Sequence, residues 1–135
     1  MVKEVHKVAR QSGERRIIIA NSATSLDEGN RNDIAVFGSH CGENVAGYVL
    51  KAGARGMIGN DAGIGLEGAG IAGLKVLEEH GIPAAAVAAM SAEIGVGQST
   101  YEEGVISAVN KVAEKLGVSV GMSAKEAADR MFESM

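Results

Sequence analysis

Apolar residues in this 135-residue chain fall into short unbroken runs, each closed by a cluster of small and polar residues. Arg16 to Ala20 holds three consecutive isoleucines, a β-branched run that suits a buried strand. Three further runs, at 34–38, 55–59 and 83–90, read as strands, and each is followed by a stretch of helical period. The predicted helices cover about 43–52, 68–80 and 100–116, stopped by Gly53, Gly81 and Gly117. Glycine just past a helix end is the expected chemistry, because it takes the left-handed conformation without a Cβ penalty. Alternation of strand and helix over short connections implies right-handed βαβ units and a parallel sheet. The near-continuous apolar character of Pro83 to Met90 fits a strand covered on both faces. The expected fold is therefore α/β: a three-layer sandwich with a mostly parallel sheet of about four strands and helices on both faces. Residues 1–135 form one such domain, with 118–135 a C-terminal helical extension.

The ends and the first connection carry weaker patterns. Val2, Val5, Val8 and Ala9 recur at helical spacing among charged residues, which predicts a short amphipathic helix over 1–12 that Gly13 ends. The polar link from Asn21 to Asp33 has no helical period. Parallel partners need a crossover, usually helical, so the strands on either side are expected to be antiparallel, or joined by a long functional loop. Ser123-Ala124-Lys125-Glu126 matches a capping box, and Ala124, Ala128, Met131, Phe132 and Met135 follow on one stripe. That stripe serves either the chain's own core or a neighbouring subunit.

Composition narrows the classes. Aromatic residues make up 3 % and Trp is absent, so the core lacks the large area that rings bury. Burying a further face against copies of itself would compensate, and a homo-oligomer is expected. The net charge of −4, with no basic patch interleaved with aromatics, argues against nucleic acid as a partner. The longest apolar run is too short to span a membrane, and no apolar stretch follows the first charges as in a secretory signal. A single cysteine excludes an internal disulfide, and a cytoplasmic location is the expectation.

The candidate chemistry sits where strands end. In a parallel sheet those ends share one rim, and ligands bind in the crevice beyond it. Gly38-Ser39-His40-Cys41-Gly42 closes one strand at a helix start, where backbone N–H groups and the helix dipole favour an anion. His40 is the natural acid/base there, Ser39 a donor, and Cys41 a small buried residue or, less simply, a thiol nucleophile. Asn60-Asp61-Ala62-Gly63 closes the next strand. Asp61 there would orient His40, act as a carboxylate base, bind substrate hydroxyls or a metal, or cap the following turn. Ser91 opens the third cluster, with Glu93 an exposed loop acid; Asn21, Ser22, Thr24 and Ser25 can add donors from the first link. Catalytic roles thus fall to His40, Asp61 and Ser39, and substrate contacts to Asn60, Gly63, Ser91, Cys41 and Gly42.

Two overlapping G-x-G-x-x-G matches, 63–68 and 68–73, lack the acidic residue that a dinucleotide ribose needs, and small-residue packing explains them as well. No cofactor is expected. No His/Cys/Asp set has zinc spacing, so no metal is expected either, and His6 and His80 read as helix-surface residues. The resulting expectation is an enzyme acting on a small polar or anionic metabolite, with hydrolysis of an amide-like bond as one outcome. The alternative is a non-catalytic ligand-binding or accessory subunit that uses the same glycine-rich rim. A third reading makes the rim purely structural and leaves Ala128, Met131 and Phe132 to assembly.

Overall fold

The computed structural model describes residues 4–64 and 66–134, with the side chains of Leu66 and Glu67 outside the description. Val2 and Met135, named above, and Gly65 of the 63–68 motif lie outside the described residues. Six strands form one mixed sheet whose spatial order follows the chain: β1 (Lys7–Ser12), β2 (Arg15–Ala20), β3 (Ile34–His40), β4 (Gly56–Asn60), β5 (Ala84–Val87) and β6 (Ile106–Val109). β2 to β5 run parallel, and β1 and β6 pair antiparallel at the two edges. The fold is α/β as expected, with six strands in a mixed sheet rather than about four.

The amino-terminal helix expected over 1–12 is instead β1, in a hairpin with β2 that pairs Lys7 with Ile19 and Ser12 with Arg15. Gly13, at φ 62°, supplies the positive φ that a two-residue hairpin turn demands, where a helix stop was expected. His6 accordingly sits ahead of a strand; its Nε2 meets Ser25 Oγ at 2.8 Å and its Nδ1 faces the Asn30 amide at 3.1 Å. β2 and β3 are parallel, not antiparallel. Residues 21–33 cross over through two short 3-10 turns, Ala23–Ser25 and Glu28–Asn30, capped by Ser22 and Asp27. Arg16 anchors this link: Nε donates to Asp33 Oδ1 at 3.0 Å and an Nη to Oδ2 at 2.6 Å, with Asp33 buried. The bond to Asp33 raises the Arg16 pKa above its ordinary value.

α1 (Glu43–Ala52) and α2 (Ala72–Glu79) join the parallel strands, α2 preceded by a 3-10 turn over Leu66–Ile71. The helix expected over 100–116 is three elements: α3 (Gly97–Glu103), β6 and α4 (Lys111–Lys115). Gly104 breaks it. A Cβ there would sit 2.4 Å from Thr100 O and 2.6 Å from Val87 Cγ1, and the β-branched Val105-Ile106 then extends.

Strand residues alternate between two cores, as the period of two requires. Ile18, Ala35, Phe37, Met57 and Ala84 pack with α1, α2 and the Ala23–Leu26 turn. Ile17, Ile34, Val36, Ile58 and Val87 pack with α4 and α5 (Ala124–Glu133). The stripe Ala128, Met131 and Phe132 lies wholly in this second core. All three crossovers between β2 and β5 contribute to the first cluster, and the strand order never reverses. A doubly wound sheet opens its crevice where that order reverses, so this rim has no such switch point. No described helix is long and apolar enough to cross a membrane.

Candidate functional site

The carboxyl ends of β2 to β5 share one edge, which brings the predicted residues to a common rim. His40 is exposed and is the register partner of Asn60 on β4. Its Nδ1 accepts the Gly42 N–H at 3.0 Å. In the neutral ring this places the remaining hydrogen on Nε2, so His40 presents a donor. Gly42 starts α1 without a side-chain cap, and a Cβ there would meet the His40 ring at 2.9 Å. Ser39 is half-buried, and its Oγ accepts the Ala23 N–H at 2.9 Å, holding the first 3-10 turn to the sheet.

Asp61 is buried, and its carboxylate bonds go to partners other than His40. Oδ1 accepts the Gly63 N–H at 2.8 Å and the Ala89 N–H at 3.0 Å, and Oδ2 accepts Ser107 Oγ at 2.7 Å. The carboxylate thus ties the loop after β4 to the end of β5 and to β6. The two residues share an edge, but no hydrogen bond joins them.

Asn60 is 0 % exposed. Its Oδ1 accepts the Ala62 N–H at 2.8 Å, which fixes the orientation of the amide, while no acceptor among the described residues takes Nδ2. Asn110, also buried at 4 % exposure, shows the contrast. It accepts from Ala84 and Ala113 and donates to the carbonyls of Leu74 and Ile82. Above Asn60 the backbone runs left-handed for three residues, Ala62 at φ 52°, Gly63 at 72° and Ile64 at 70°. For Ala and Ile this conformation costs about 1–2 kcal/mol each.

Cys41 is wholly buried, with its Sγ 3.8 Å from the Ala85 carbonyl oxygen. Burial pushes the thiol up to about 12, against the lowering effect of a backbone bond from Gly59. A thiol that keeps its proton at neutral pH is not the thiolate that nucleophilic chemistry requires. Ser91 Oγ donates to Ala88 O at 2.7 Å and accepts the Val105 N–H at 3.0 Å, bracing the same loop that Asp61 holds. Asn21 Oδ1 accepts the Gly97 N–H at 3.0 Å, and Glu93 is exposed. In the second glycine motif the chain's own backbone fills the space beside two glycines. A Cβ on Gly70 would lie 2.2 Å from Asp61 O, and one on Gly73 would lie 2.4 Å from Gly42 O. Among the described residues no group of three or more His, Cys, Asp or Glu is placed to hold a metal.

Sequence reading passed over Ser107 and Asn110, both inside the segment read as one helix. Gly104 followed by two β-branched residues was the available signal for a strand there. A cleft of about 280 Å³ lies at the opposite edge, where the parallel strands begin, between Arg55, Pro83, Leu116 and Met131. Comparison with protein-family models, curated proteins and solved structures finds no match.

Proposed function

We propose that the chain binds a small polar or anionic molecule at the carboxyl rim of the sheet, as a ligand-binding or accessory subunit. The observation that carries this reading is the Asn60 amide. A buried donor without an acceptor costs about 1–3 kcal/mol, and natural folds rarely leave one unanswered. Its Oδ1 is engaged by Ala62, so rotating the amide cannot relieve it. An oxygen of a carboxylate, carbonyl or phosphate group brought within hydrogen-bond distance of Nδ2 would. His40, presenting Nε2–H on the adjacent strand, supplies a second donor suited to the same oxygen chemistry. Backbone strain of the kind seen at Ala62 to Ile64 concentrates at ligand sites, which supports the placement.

The test is an NMR titration of labelled protein with acetate, succinate, inorganic phosphate and acetamide, following the Asn60 side-chain NH2 and the His40 ring. A saturable shift of both with at least one probe is expected. Asn60→Asp should abolish the His40 shift, while His40→Gln, which keeps a donor, should retain part of the Asn60 shift. Shifts in neither group with any probe would refute the proposal.

A second reading keeps the rim catalytic, with His40 as acid/base, Asp61 its partner and Ser39 a donor, acting on an amide-like bond. The strained loop beside an exposed imidazole favours it. It requires His40 to release the Gly42 N–H and Asp61 to release Ser107 when substrate arrives. Turnover that falls by orders of magnitude in His40→Ala and Asp61→Asn, with binding partly kept, would distinguish it from recognition alone.

A further inference from the structure

We infer that the outer face of α1 is a self-association surface, and that its partner is a second copy of this chain packed antiparallel across a two-fold axis at Gly47. Val45, Ala46, Val49 and Ala52 face the core, which leaves Glu43, Asn44, Gly47, Tyr48 and Lys51 exposed on the opposite side. Those five residues line a shallow groove of about 340 Å³.

Neither backbone conformation nor a close contact within the protomer requires glycine at position 47. It is not among the glycines with positive φ, and nothing lies within 4 Å of where its Cβ would stand. By contrast, Gly38, Gly70, Gly73 and Gly97 each meet backbone below 2.5 Å. An exposed glycine in the middle of a helix weakens the helix, and its gain lies in how near another backbone can come. Helix axes pack 8–10 Å apart depending on the side chains at the contact, and glycine at the crossing permits the near end of that range.

The charges identify the partner. Glu43 and Lys51 each stand four residues from Gly47, one toward each end of α1, about 12 Å apart along the axis. Neither makes an ion pair among the described residues. A two-fold axis through Gly47 sets Glu43 of each copy opposite Lys51 of the other, two complementary contacts from one self-complementary patch. Tyr48, 41 % exposed beside the glycine, supplies an aromatic anchor of the kind enriched at such contacts. The apolar stripe of α5, the other surface open to assembly on sequence grounds, is consumed by the core.

Sedimentation velocity over the low to high micromolar range tests the inference. Wild-type chain should form a dimer that weakens as salt is raised. Glu43→Lys and Lys51→Glu should each weaken association at least about tenfold, since each sets like charges opposite one another. The combined variant should restore it to near the wild-type constant. The combined variant also controls for the helix dipole, because both of its charges are unfavourable to α1 itself. Gly47→Leu, which fills the groove without touching a charge, should abolish the dimer while circular dichroism shows the fold intact. A chain that stays monomeric throughout, a dimer indifferent to both single reversals, or a combined variant that fails to re-associate would overturn the proposal.

Discussion

Removing the Asp61 side chain should cost much of the chain's stability, and the size of the loss follows from its bonds. Asp61→Ala deprives three donors of one acceptor: the N–H groups of Gly63 and Ala89 and the hydroxyl of Ser107. Hydrogen bonds to a charged group contribute about 1.5–3 kcal/mol each. Gly63 is exposed and can turn to water, whereas Ala89 and Ser107 are partly buried. Two bonds at close to full value and one discounted give a loss of about 3–6 kcal/mol, a large share of a typical folding free energy. Asp61→Asn keeps Oδ1 for both N–H groups, and its amide can donate to the Ser107 oxygen, so its cost should be about 1 kcal/mol. Ser107→Ala should fall between them, and the double variant should be less destabilised than the sum of the singles. Urea denaturation followed by circular dichroism reads these values as midpoint shifts at constant slope. Asp61→Ala within about 1 kcal/mol of wild type would refute the reasoning, because a carboxylate that only oriented His40 would leave stability nearly unchanged.

Three more expectations follow from single sites. The Cys41 thiol holds its proton to about 12 when folded against 9.0 as its ordinary value. Below pH 9 both states keep that proton; above it the unfolded state binds fewer, so stability falls as pH rises toward 12. The steepest fall is about 1.4 kcal/mol per pH unit, and Cys41→Ala should lack this component when urea midpoints at neutral and alkaline pH are compared. Gly47→Ala meets nothing within 4 Å, so it should stabilise the dilute chain by about 1 kcal/mol in the same assay while weakening its dimer. Asn110→Ala leaves the buried N–H groups of Ala84 and Ala113 without that acceptor and takes a donor from the Leu74 and Ile82 carbonyls, and should cost about 3–5 kcal/mol by urea denaturation.

Strong local patterns were legible in the chain alone. The strands at Ile17–Ile19 and Ala84–Val87 read as buried, and Ile34–Phe37 as a strand, because burial on both faces leaves no polar alternation to obscure them. The helix over Glu43–Ala52 was legible because Gly53 marks its end, with φ 74°. Local chemistry also brought His40, Asn60, Asp61 and Ser91 to one rim, since parallel strands share their carboxyl ends. The first dozen residues misled, because valines three apart satisfy a helix as well as an edge strand, and only pairing with β2 decides between them.

What tertiary structure alone decided is the state of each polar group at that rim. Whether Asp61 turns toward His40 or toward Ser107 depends on β6, an element 46 residues further along the chain. The same is true of the glycines, since Gly97 is required by the Ala20 carbonyl 2.0 Å from its absent Cβ and Gly47 by nothing within the protomer. Hydrophobic period and turn chemistry act between near neighbours and are written in order along the chain. Hydrogen-bond partners, close backbone approaches and unanswered donors such as Asn60 Nδ2 exist only once distant segments have packed.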